Sequence, residues 1–178
     1  MRKIIYPILS ILLIILISAC AGYKPIFGST NLNFEISDYS IKGEKILANR
    51  IYAKLYNLSR SNKNNDDRRN ISILIDISKT KKAISKDSSG KILEYKVTLN
   101  TKIEINDYLT DDQILNQNFI SSLNYKSQNE YSDTIKLENE SIDSIINNTY
   151  EELLIKFSQN ILIKWLKKVM KYKKIYLH

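Results

Sequence analysis

Ile71, Ile73, Ile75 and Ile77 alternate with Ser72, Asp76 and Ser78. A period of two over this length is the mark of a strand with one buried face and one wet face. A one-residue slip would turn every isoleucine into solvent, so the pattern fixes the register as well as the element. A Lys-rich continuation leads to Asp87-Ser88-Ser89-Gly90, residues suited to a tight turn. The return strand is expected over Ile92–Ile105, with Tyr95, Val97, Leu99, Thr101, Ile103 and Ile105 on one face. At about 3.3 Å per residue it measures about 46 Å. Asn106 to Asp112 reads as the next turn, and Leu115, Phe119, Leu123 and Tyr125 share one face of a third strand in the meander.

Two segments break from period two to helical spacing. Leu47, Ile51, Leu55 and Leu58 form one apolar stripe from about Glu44 to Leu58, preceded by a strand pattern at Leu32, Phe34 and Ile36 and by Gly43. Ile142, Ile146, Tyr150, Leu153, Phe157, Ile161, Trp165 and Val169 form a second stripe that no Pro or Gly interrupts. It predicts a helix of about 35 residues, roughly 50 Å long. The polar stretch 59–70 between first helix and second strand cannot support a core and reads as a mobile loop. The expected architecture is therefore α+β: a mostly antiparallel four-stranded sheet with two amphipathic helices on one face, in the order β-α-β-β-β-α. Residues 32–178 suffice for a single domain.

Before this domain lie Arg2 and Lys3, an apolar run from Ile4 to Ile17, and Ser18-Ala19. A positive start, a short apolar stretch and small residues before a cleavage point make an export signal over 1–19. The run is shorter than the roughly 20 residues a membrane-crossing helix needs. Ile17-Ser18-Ala19-Cys20 resembles the bacterial lipobox, with Ile17 where Leu is usual. The resemblance implies cleavage between Ala19 and Cys20 and acyl chains on Cys20. Each buried methylene contributes about 0.8 kcal/mol, so several chains hold a protein to a bilayer almost irreversibly. Residues 20–31, with Pro25 and Gly28, read as the lipidated tether.

Cys20 is the sole cysteine and His178, the last residue, the sole histidine. Disulfide frameworks, Cys-based zinc sites, cysteine nucleophiles and His-dependent triads or metal motifs are thus unsupported. The carboxylate pairs Asp66-Asp67, Asp111-Asp112 and Glu151-Glu152 are adjacent in sequence and point to different faces of a helix or strand, as solvated charges do. A non-enzymatic protein without cofactor or metal is expected. The formal charge of +8 is also uneven. Of 27 basic residues 2 fall in the signal and 6 between Lys164 and Lys174, which leaves 19 in the body against 19 acids. Export and the lack of a recognition motif argue against nucleic acid as partner.

Cys20-Ala21-Gly22-Tyr23-Lys24-Pro25-Ile26-Phe27-Gly28 resembles the Cys-Gly-Phe-x-Pro-Leu-Tyr-Gly opening of alphaproteobacterial members of the LPS-assembly lipoprotein LptE (RlpB) family, with Ala21 inserted. The order of elements is similar, and Tyr131 stands where a Tyr introduces the terminal helix in that family. The resemblance implies an outer-membrane lipoprotein that plugs the β-barrel LptD, assists its assembly and helps insert lipopolysaccharide into the outer leaflet. Ala21, where Asp would signal retention in the inner membrane, agrees with outer-membrane lipid as the anchor's site. The alternative is a periplasmic lipid-binding or auxiliary lipoprotein of another envelope transport complex.

Two groups of residues are candidate contacts for lipopolysaccharide or anionic lipid. Lys79, Lys81, Lys82, Lys86 and Lys91 flank the hairpin tip, where ammonium groups suit phosphate; a Lys cluster also protects an exposed strand. Lys164, Lys167, Lys168 and Lys171 fall within an arc of about 100° on the cationic helix end at 161–178, opposite Ile161, Trp165 and Val169. That composition suits an interfacial segment, and equally a core helix whose lysines complement the negative end of its dipole.

Overall fold

The computed structural model describes residues 32–61 and 68–175, with side chains through Ile163. The signal, Cys20, the Gly22-Tyr23-Lys24-Pro25 opening and the side chains of Lys164, Lys167, Lys168 and Lys171 lie outside the described residues. The chain runs β1 (Phe34–Gly43), α1 (Lys45–Ser61), β2 (Arg69–Lys86), β3 (Ile92–Asp107), β4 (Gln113–Lys126) and α2 (Tyr131–Ile175). This is the expected order.

The strands stand side by side as β1-β2-β3-β4. β2–β3 and β3–β4 are antiparallel, as short turns require, whereas β1 runs parallel to β2. α1 supplies the return that a parallel pair needs. Gly43 makes the turn from β1 into α1 at a φ of 68°, a left-handed conformation that suits Gly. There the Glu44 amide donates to the Ile77 carbonyl at 2.8 Å, joining the turn to β2.

Alternation along β2 and β3 does what its pattern predicts. Ile71, Ile73, Ile75, Ile77, Val97, Leu99, Thr101, Ile103 and Ile105 are all buried. α1 covers β1 and β2 with Leu47, Ala48, Ile51 and Leu55, and α2 covers β3 and β4 with Ile142, Ile145, Ile146, Leu153 and Phe157. Phe157 meets Phe34 edge to face with ring centroids 5.4 Å apart, closing the layer between the last helix and the first strand. Tyr39 of β1 stacks on Tyr52 of α1 at 4.2 Å along the sheet edge.

Three expectations are corrected in detail. The stretch 59–70 is not all loop: α1 reaches Ser61 and β2 starts at Arg69. Ser59 and Ser61 donate their hydroxyls to the carbonyls of Tyr56 and Leu58, both at 2.8 Å, and the second of these satisfies an acceptor that the helix end leaves open. α2 has 45 residues rather than 35, because it begins at Tyr131, ahead of the apolar stripe, with polar side chains on its inner face. Leu123 keeps its expected face but is 37% exposed, since it lies in a shallow groove beside Leu137, Ser141 and Ser144 of α2.

Candidate functional site

Past Ile77 the inward positions of β2 pass to Lys79 and Lys81, paired in register with Leu99 and Val97 of β3. They meet Glu138, which α2 brings down onto this end of the sheet. Lys81 Nζ lies 2.6 Å from Glu138 Oε2, and Lys79 Nζ lies 3.4 Å from Oε1. The Tyr125 hydroxyl donates to Oε2 at 3.0 Å. Lys81 also sits over the Tyr95 ring, 4.4 Å from its centroid, and Tyr95 stacks on Tyr125. Glu138 is 7% exposed. A carboxylate so placed is tolerable only when paired and hydrogen-bonded.

The electrostatics agree with an ionised, fully partnered carboxylate. Burial alone raises the Glu138 carboxyl, but hydrogen bonds from Lys81 and Tyr125 and the charges of Lys81 and Lys79 outweigh it and hold it below the ordinary glutamate value. Burial alone lowers the Lys81 ammonium; its contacts with Glu138 and Tyr125 reverse this and raise it. Tyr125 is raised, chiefly by burial.

The hairpin lysines therefore divide. Lys79 and Lys81 turn toward Glu138 as its counter-ions, their side chains about a third exposed (33% and 30%). Lys82 points to the opposite face, directly across from Lys96, and Lys86 and Lys91 stand exposed at the turn. Asp87 organises that turn. Its Oδ1 accepts from the amides of Ser89 and Lys91, both at 2.9 Å, and from the Ser89 hydroxyl at 2.6 Å. The Ser89 hydroxyl is the main cause that lowers the Asp87 carboxyl. Sequence reasoning missed Glu138; the signal available was its place four residues before Ile142 and seven before Ile145, on the buried side of α2.

A second surface is the outer face of the sheet, away from both helices. Its cross-strand rows are Asp76–Lys102–Asn118, Ser78–Asn100–Ile120, Thr80–Thr98–Ser122 and Lys82–Lys96–Asn124. Short neutral side chains dominate, with one ion pair beside them, Lys102 to Glu104 at 2.6 Å. Ile120 stands out in the middle, 68% exposed. Both helices pack on the other side, so among the described residues no element covers these rows. α2 is long, yet no helix among the described residues is long and apolar enough to cross a membrane.

No protein-family model matches the chain, and no curated protein matches it. Solved structures do. The fold recurs in bacterial lipoproteins. A minor lipoprotein from Acinetobacter baumannii aligns with 72% of this chain and 94% of its own length, at 13% identity and a TM-score of 0.52. The uncharacterized lipoprotein B from Nitrosomonas europaea aligns with 77% of this chain and 90% of its own, at 14% identity and a TM-score of 0.54. At such identities the likeness establishes the shared fold and transfers no residue.

Proposed function

We propose that this chain is an outer-membrane lipoprotein, anchored through Cys20, that acts as plug and assembly partner of a lipopolysaccharide-export β-barrel. The observation that carries the reading is the uncovered outer face. Its rows of Ser, Thr and Asn, bordered by Asp76, Lys102, Lys82 and Lys96, offer donors and acceptors to a barrel lumen, which is polar in membrane barrels. The lipobox, the Gly22-Tyr23-Lys24-Pro25 opening and a fold shared with bacterial lipoproteins support the same reading. Nothing in the role calls for catalysis.

The carrier alternative needs an apolar cavity to hold a lipid. The space between sheet and helices is instead filled by Phe34, Ile51, Leu55, Ile75, Ile103, Ile145 and Phe157, each at most 1% exposed. This packing favours the plug.

The test is to purify the lipidated protein from detergent-solubilised outer membrane and identify what accompanies it. The plug reading expects a large β-barrel in stoichiometric amount, and less correctly assembled barrel and surface lipopolysaccharide in depleted cells. Co-purification with a transporter of another lipid class, with normal barrel levels on depletion, would favour the alternative.

A further inference from the structure

The end of the sheet opposite the Asp87–Gly90 hairpin gathers features that neither the polar face nor the lysine cluster uses. Asn33, Arg68, Arg69, Asp107, Leu109 and Ile161 line one cleft there. It joins the point where the chain enters the domain, the start of β2, the β3–β4 turn and α2. Backbone hydrogen bonds tie the first three together: the Arg69 amide donates to the Asn33 carbonyl at 3.2 Å, and the Tyr108 amide to the Asn70 carbonyl at 2.9 Å. Asp107 Oδ1 accepts from the amides of Leu109 at 3.1 Å and Thr110 at 3.2 Å, so the turn is held rather than loose. It nevertheless presents Tyr108 and Leu109 to solvent, 52% and 78% exposed. On α2, Leu162 and Ile163 follow Ile161 and are 48% and 49% exposed.

A rigid turn that holds apolar side chains in water calls for something to cover them. The length of chain outside the domain says what. Residues 20–31 link the anchor at Cys20 to the buried Leu32, beside this cleft. Even fully extended they span only about 40 Å, so this end is the one held nearest the bilayer. The chemistry fits that occupant. Tyr is favoured where an apolar body meets a wet boundary, and Arg68 and Arg69 carry planar forks suited to lipid phosphate. Arg68 pairs with Glu35 at 3.4 Å and Arg69 with Asp107 at 3.7 Å, while Asp111 and Asp112 share the turn. The turn itself is thus not cationic, and its contact is driven by the apolar side chains, whereas α2 continues past Ile163 into Lys164, Lys167, Lys168 and Lys171.

We propose that the Tyr108–Leu109 turn, with Leu162 and Ile163, is a bilayer-contacting end that rests among the head groups of the leaflet holding the anchor and sets the strands upright on the membrane. The proposal rests on anchoring at Cys20. It adds an orientation that the plug reading does not contain.

The experiment uses the full lipidated protein in vesicles of zwitterionic phospholipid carrying a lipid-attached quencher. Acylation consumes the only native thiol, so a polar fluorophore can be placed singly at Thr110→Cys or at Ser88→Cys. β3, which separates these ends, spans about 50 Å. Fluorescence at position 110 should be quenched severalfold more than at 88, at low and high salt alike. Adding Tyr108→Ser and Leu109→Ser should bring position 110 down toward the level at 88. Flotation of the same vesicles reads anchoring separately. A chain that fails to float overturns the anchored reading and this orientation together; one that floats with equal quenching at the two ends overturns the orientation alone.

Discussion

Replacing Glu138 by Gln keeps the side chain's shape but leaves Lys79 and Lys81 without their counter-charge, and Tyr125 facing a weaker acceptor. Leaving partly buried polar groups unpaired costs about 1–3 kcal/mol, and urea denaturation at neutral pH should show a loss of that order. The pH dependence follows from the sign of the shift. The folded carboxyl is held below its ordinary value of 4.5, so its contribution is fully present above that value and is lost as pH falls through the folded one. Below 4.5 the stability difference between wild type and Glu138→Gln should therefore shrink. Two glycines make a second contrast. A Cβ on Gly43 would collide with the Ile77 carbonyl oxygen and approach Asp76 Oδ1 to 2.8 Å, whereas one on Gly90 meets nothing within 4 Å. Gly90→Ala should cost only the left-handed backbone strain, about 1–2 kcal/mol, and Gly43→Ala distinctly more in the same denaturation assay. At this scale the sequence was partly legible. The odd-numbered parity of Ile71 to Ile77 continues to Lys79 and Lys81, a signal of inward placement that their reading as hairpin-tip lipid contacts did not use. Their partner lies 59 and 57 residues away, respectively, and no local pattern names a partner at that distance.

Among the elements, period two and helical spacing identified every strand and helix, because each buries one face and writes that face into the sequence. Direction was not written there. The pattern at Leu32, Phe34 and Ile36 specifies a strand but not its neighbour, and β1 lies parallel to β2 because α1 carries the chain back along the sheet. Phe157 shows what holds the last helix to that first strand: it is fully buried against Phe34. Phe157→Ala should destabilise by about 3–5 kcal/mol, measured by denaturant midpoint at unchanged slope. The Arg50–Asp143 ion pair that also links α1 to α2 is exposed, 43% and 59% at its side chains. Its removal by Arg50→Ala should change stability by only about 0.2–1 kcal/mol, so the two substitutions separate packing from surface charge as the source of helix docking.

The whole molecule has two faces and two ends with different chemistry. Helices and apolar side chains lie behind the sheet and polar rows in front. Lys82, Lys86 and Lys91 mark one end, Tyr108 and Leu109 the other. β3 spans about 50 Å, while a bilayer with its head groups is about 40–45 Å thick. β3 is thus long enough to carry the hairpin tip across a distance comparable to the membrane, as a plug inside a barrel requires. The polar front was foreseeable from alternation, but the cleft was not, since Asn33, Arg68, Leu109 and Ile161 come from four separate segments. Photo-cross-linking in living cells shows whether the front faces a barrel wall. The probe is placed at Asn118 in the middle of the uncovered face, or at Glu151 on the exposed side of α2. A front that faces the barrel wall gives a covalent product with one large outer-membrane β-barrel from Asn118 and a much weaker one from Glu151. No barrel product from Asn118, or an equal or stronger one from Glu151, would contradict it.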